Sequence, residues 1–248
     1  MKRIALLIGN SDGLEGVKKD LVNWRRFLYS LKGGAWNFSE IITLMNPRKE
    51  ELCSKIENIR GKYDFAIVVF SGHGEYQNGF TELAINEKYD IIQDQDLIGI
   101  ADKQITVFDC CRGIEDDSSL LLENQQITFS RDGGTLKRNP RPIIRNLYEK
   151  RIEQACNQQV QLYSCNVGES SMDTIDGGLY IKNLLNQATI FGSEEYGLVG
   201  NIHQKASKVV RLFSILNHNK QTPCAVLPKC FPNRQLLLSV NADLLLKQ

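Results

Sequence analysis

The feature that most constrains this chain is an apolar, β-branched run that stops abruptly in reactive side chains. Thr106-Val107-Phe108 reads as a buried strand, and Asp109, Cys110, Cys111, Arg112 and Gly113 follow at once. A second run, Tyr63 to Phe70, ends the same way, in Ser71-Gly72-His73-Gly74. One strand delivers a thiol and the other an imidazole. In a parallel α/β sheet both strand ends lie at the carboxyl-terminal edge, where ligands bind. A thiol and an imidazole at one edge are the two parts of a cysteine–histidine nucleophilic site.

The rest of the chain supports a parallel sheet. Lys2 to Gly9 reads as a buried strand, and Val17 to Leu31 carries apolar residues at helical spacing. Phe38 to Met45 reads as a second strand. Asn46 is placed to cap a helix that has Pro47 at its first position and runs to about Ile59. This βαβαβ order predicts a sheet covered by helices. Glu75 to Asp90 reads as a hairpin around Asn78-Gly79, Gln93 to Ala101 as a short helix, and Lys103 to Cys110 as the fourth strand. Helices are expected over 143–157, 176–187 and 201–217, and strands over 159–164 and 235–240.

Composition narrows the function classes. The formal net charge is +1, which gives no electrostatic case for nucleic acid. No apolar run approaches a membrane span, and no signal peptide is read at the N-terminus. The seven cysteines form no Cys-x-x-Cys pair, so neither a disulfide framework nor a zinc site is indicated. A reducing cytoplasm is expected, and it would keep a catalytic thiol alive. The glycines of Gly9-Asn10-Ser11-Asp12-Gly13 match neither phosphate-binding pattern, which sets a nucleotide-binding reading aside.

These motifs resemble the caspase-like cysteine peptidases, a family of caspases, metacaspases and paracaspases. Cys111-Arg112-Gly113 falls on the family's nucleophile motif, with His73 well upstream, and Ser71-Gly72-His73-Gly74 is similar to the histidine motif. Ile4 to Asn10, Leu14-Glu15-Gly16 with Asp20, Leu162 to Cys165 with Glu169-Ser170-Ser171, and Gln221-Thr222-Pro223 before a closing strand extend the resemblance over nearly the whole chain. It implies an α/β, three-layer fold: a mostly parallel six-stranded sheet with helices on both faces. It also implies one peptidase domain over residues 1–248. Residues 1–113 would form a large part, 114–157 a cleavage or regulatory loop and helix, and 158–248 a small part.

The resemblance implies His73 as general base and acid, Cys111 as nucleophile and the Gly74 N–H in the oxyanion hole. No third triad member is identified. Cys110 is the rival nucleophile, but neighbouring side chains on a strand alternate, so the two cannot both face the site. The other five cysteines read as packing residues.

Caspases cleave after Asp through pocket arginines, and no arginine stands between Gly9 and Lys19 here. Instead Asp109, Asp20 and Ser71 fall on metacaspase pocket positions, with Ser164, Glu169 and Asp173 as further substrate-binding candidates. An acidic pocket predicts cleavage after a basic residue, Arg in preference to Lys. The plain alternative for Asp20 is an exposed position on a helix. Metacaspases usually follow the nucleophile with His-Ser-Gly; here Arg112-Gly113-Ile114 stands in its place. Their second acidic pocket residue falls on Val167 or Gly168, and their loop cysteine on Val17. These departures speak against calcium dependence, so no metal and no cofactor are expected.

Arg131, Lys137, Arg138 and Arg141 make the loop at 114–142 a self-cleavage candidate; a basic solvated loop is the alternative. The expected partners are a protein substrate with an exposed Arg or Lys loop and a regulatory protein, with the enzyme a monomer or homodimer. Family members often act in cell-death or immune responses, which makes a regulatory target the expectation. The competing reading is a catalytically silent caspase-fold scaffold that binds partners.

Overall fold

The computed structural model describes residues 1–113 and 139–247. The chain runs β1 (Arg3–Gly9), α1 (Gly16–Tyr29), β2 (Ile41–Met45), α2 (Lys49–Ile59) and β3 (Phe65–Ser71). A small antiparallel unit follows, β4 (His73–Gln77), β5 (Phe80–Ala84) and β6 (Ile91–Gln93). Then come β7 (Lys103–Asp109), α3 (Arg141–Gln154), β8 (Gln158–Tyr163), α4 (Leu179–Thr189), β9 (Tyr196–Leu198) and α5 (Val199–Leu216). β10 (Cys224–Val226), β11 (Leu237–Val240) and α6 (Ala242–Leu245) close it. The central sheet has six strands in the order β10-β8-β7-β3-β1-β2. All its pairings are parallel except β10 against β8.

Alternation along each strand splits the core in two. Ala5, Leu7, Ile67, Val69, Ile105 and Val107 face one way and pack under helices α1, α3, α4 and α5. Ile4, Leu6, Ile8, Val68, Phe70 and Phe108 face the other way, onto α2 and the small antiparallel sheet. Strands buried on both faces read as continuous apolar runs, which is why these were legible. The result is the three-layer α/β arrangement that the element order predicted. Among the described residues, no helix is long and apolar enough to cross a membrane.

Several local readings are corrected. Asn46 is not a helix cap: α2 starts at Lys49, and Asn46 takes a left-handed backbone with φ +48°. Its side chain instead accepts the Ser11 N–H at 2.9 Å and so ties down the loop after β1. The segment from Gln93 supports only a short 3-10 turn, Asp94–Leu97, and the expected hairpin gains β6 as a third strand. The strand expected over 235–240 leaves the main sheet. As β11 it pairs antiparallel with β9, and the edge place goes to β10, three residues long between Pro223 and Pro228. A three-residue strand is too short to show period-two alternation.

Candidate active site

β3 and β7 are adjacent and in register, with Ser71 opposite Asp109. Both strands therefore end at the same level of the carboxyl edge, and the residues beyond them open into one cleft of about 580 Å³. His73 and Cys111 both line it, with Gly74, Asp109, Ser171 and Asp173. Gly74 must approach closely here. A Cβ on it would lie 2.7 Å from Cys110 Sγ and 3.0 Å from the Cys111 carbonyl oxygen.

The two cysteines are sorted by the pleat. Cys110 is buried in the α2-side core, and burial pushes its thiol well above the ordinary range. Cys111 is half-buried beside the cleft and accepts the Ser171 N–H at 3.4 Å. Burial pushes its thiol up as well, with the Ser171 N–H and the Ser170 hydroxyl pulling the other way. Burial thus favours the thiol over the thiolate at Cys111.

His73 opens β4, and its Nε2 lies 2.6 Å from the carbonyl oxygen of Asp12, in the loop after β1. A carbonyl only accepts, so Nε2 carries the hydrogen and Nδ1 is the ring nitrogen left free of this contact. This orienting partner was missed in the sequence because a backbone carbonyl has no residue signature.

Three carboxylates stand at the cleft: Asp109 and Asp173 line it, and Asp20 lies behind them. Asp20 is 0 % exposed, so the reading of an exposed helix position does not hold. It accepts the Ser71 hydroxyl at 2.7 Å and the Gly178 N–H at 3.0 Å. Asp109 accepts the Ser171 hydroxyl at 2.6 Å and the Ile181 N–H at 3.1 Å. Asp173 accepts the Gly16 N–H at 3.1 Å. Burial, reinforced by the charge of Asp109, holds the Asp20 carboxyl well above the usual range. Burial likewise pushes Asp109 up to about 6, and it raises Asp173. Among the described residues, neither Asp20 nor Asp109 has an ion-pair partner. The same residues contain no group of three or more His, Cys, Asp or Glu side chains set to hold a metal ion.

Ser164 lies behind the strand that carries Cys111, donating to the Cys110 carbonyl at 3.1 Å and hydrogen-bonded to Asp109. Glu169 turns away from the cleft, accepting the Thr222 N–H at 2.7 Å and lying 3.4 Å from Lys220 Nζ. Arg141 begins α3, its guanidinium donating to the carbonyls of Tyr29 and Trp36. Arg131, Lys137 and Arg138 lie outside the described residues. Two supporting side chains were seen in the sequence only as motif letters. Gln221 donates to Ser164 O at 3.0 Å and Ser171 Oγ at 3.2 Å, holding the 171–172 segment over the pocket. Arg112 is buried, with its guanidinium 4.1 Å over the Tyr163 ring, and donates to Thr81 Oγ1 at 3.1 Å. Its backbone N–H donates to the Glu169 carbonyl, which fixes the turn just past Cys111.

A mainly parallel sheet, layered by helices on both faces and carrying a histidine and a cysteine into one cleft, defines the caspase-type α/β fold. Residues 2–231 match the family model described as the caspase domain, and the chain belongs to that family of cysteine peptidases. A solved structure of caspase-1 from Spodoptera frugiperda shares the fold. Its TM-score is 0.57 at 16% identity, covering 91% of this chain and 86% of that one. No curated protein sequence matches the chain.

Proposed function

We propose that this protein is a cysteine endopeptidase that cuts after a basic residue, Arg in preference to Lys. The observation that carries the reading is a buried carboxylate pair, Asp109 in the lining of the cleft and Asp20 behind it, neither with an ion-pair partner among the described residues. Buried carboxylates without a counter-ion are costly, and a guanidinium entering the cleft would meet Asp109, with Asp20 next behind it, and relieve that cost. Arginine's planar fork fits two carboxylates better than the lysine point charge.

In the proposed reaction, His73 Nδ1 takes the Cys111 proton and the thiolate attacks the scissile carbonyl carbon. The N–H groups of Gly74 and Cys111 receive the oxyanion. His73 then protonates the leaving amine, and water hydrolyses the thioester. A deep charged pocket selects few sites, which fits a regulatory protease acting on an exposed Arg or Lys loop. Resemblance to caspases supports a setting in cell-death or immune-type responses, and the acidic pocket is compatible with self-processing at 131–138.

The test is cleavage of fluorogenic peptides ending in Arg, Lys or Asp by wild type, Cys111→Ala and Cys110→Ala. Activity on Arg peptides that Cys111→Ala abolishes and Cys110→Ala retains is expected. Activity on Asp peptides would sink the pocket assignment and leave the nucleophile standing.

A further inference from the structure

The cleft has a second flank that the proposed P1 pocket does not use. In the proposed reaction the leaving amine departs toward His73, its proton donor, so the residue after the scissile bond lies on the His73 side. β5 is paired to β4 with Ala84 opposite His73, and the turn after Ala84 carries the chain along that flank to Tyr89. Tyr89 lines the same cleft, as do Leu14 and Glu75. Glu75 stands two residues after His73 on β4, hence on the same face of the strand.

Tyr89 is an unusual residue for this place. Its backbone φ is +57°, a left-handed conformation that a bulky side chain adopts only under constraint. The constraint is visible. The Tyr89 N–H donates to Asn86 O at 3.0 Å. The buried Asn86 amide donates to Pro47 O at 2.8 Å and to Asp90 Oδ2 at 2.9 Å, and its Oδ1 accepts the N–H groups of Lys88 and Asp90. Glycine would take this backbone without strain. Yet Tyr89 is 61 % exposed, so it is not held there by core packing. A strained backbone that presents an exposed aromatic ring to a reaction cleft is the pattern of a binding position.

We propose that Tyr89 forms the primed-side subsite of this enzyme, stacking a large aromatic or apolar P1′ side chain, with Leu14 adding apolar surface and Glu75 excluding acidic residues. The inference rests on the endopeptidase reading above. It adds a second selectivity, independent of the carboxylates that would read P1.

Internally quenched peptides that share one P1 Arg and differ only at P1′ (Phe, Gly or Asp) test it. Wild type should show kcat/KM for Phe above Gly by about three- to tenfold, the size of one aromatic contact, and Asp below both. In Tyr89→Gly the Phe/Gly ratio should fall toward one while Tm does not drop, because the ring supports no core and glycine relieves the backbone. Tyr89→Phe should keep the ratio. Equal wild-type rates for Phe and Gly, or a ratio that survives Tyr89→Gly, would overturn the subsite. So would an Arg preference at P1′ that Tyr89→Gly leaves intact. Cleavage of the Gly peptide separates the two layers of the argument: if no P1-Arg peptide is cut whatever its P1′, the endopeptidase reading itself fails and the subsite with it.

Discussion

His73 Nε2 lies 2.6 Å from the carbonyl oxygen of Asp12, so the imidazole of one strand end is oriented by the loop of another. The bond places the hydrogen on Nε2, and the proposed reaction assigns the proton transfer to Nδ1. The expected outcome is a hydrogen on His73 Nε2 in nitrogen-resolved NMR. His73→Ala should lower kcat by about 10²–10⁴, the usual contribution of a positioned acid–base group. A Nε2 without hydrogen would reverse the assignment of the base.

Asp109 is expected to cost stability where it is ionised. Its folded carboxyl, at about 6, lies above the ordinary value of 3.8. Below about pH 4 both folded and unfolded chains hold the proton. Between about 4 and 6 the unfolded chain loses it first, so stability falls as pH rises and then levels off. The span corresponds to at most about 3 kcal/mol. Asp109→Asn should therefore raise Tm at pH 7–8, by several degrees at most, because the amide keeps one of two acceptor oxygens. The gain should vanish below about pH 4 in thermal melts. The same variant should lose kcat/KM on Arg peptides, and wild-type kcat/KM should decline as pH falls through about 6.

Much of this was legible in the sequence, for a physical reason. The central strands are buried on both faces, so they read as unbroken apolar runs, and the reactive residues at their ends stand out by contrast. The edge was not legible. β10 is three residues of mixed exposure between prolines, while β11 looks like a stronger strand and belongs to another sheet. At the site, Cys111 and His73 carry their chemistry in their names. The Asp12 carbonyl does not, and Glu169 shows how a carboxylate near a pocket in sequence can turn its side chain to a different partner.

Cys111 should be a slow nucleophile in the free enzyme. Burial raises its thiol above the usual range, and the hydrogen bonds from the 170–171 segment do not cancel that. Iodoacetamide alkylation, followed by intact mass, should therefore accelerate only at strongly alkaline pH, later than for an ordinary exposed thiol. Cys110, more deeply buried and raised further, should stay unmodified while the chain is folded. Rapid alkylation of Cys111 at pH 7 would mean that the resting thiolate is already formed and that His73 is not needed to make it.

Gly178 offers the sharpest separation of pocket from chemistry. It directly precedes α4, and its N–H donates to both Asp20 carboxylate oxygens, at 3.0 and 3.1 Å. Its backbone is ordinary, with φ −57° and ψ 135°, so alanine brings no conformational strain. What alanine brings is a methyl group. Its Cβ would lie 2.4 Å from Asp109 Oδ2 and 3.2 Å from Asp20 Oδ2, so at least the Asp109 carboxylate must move. The three atoms nearest that methyl belong to Asp109 and Asp20, not to His73 or Cys111. Gly178→Ala should therefore raise KM for Arg peptides by about tenfold or more, since one displaced charged hydrogen bond is worth roughly 1.5–3 kcal/mol. Alkylation of Cys111 should still accelerate only at alkaline pH, because Asp109 is the smallest of the influences on its thiol. A variant with unchanged KM would show that the two carboxylates do not bind the P1 side chain, and an acidic floor without that role would have to be structural.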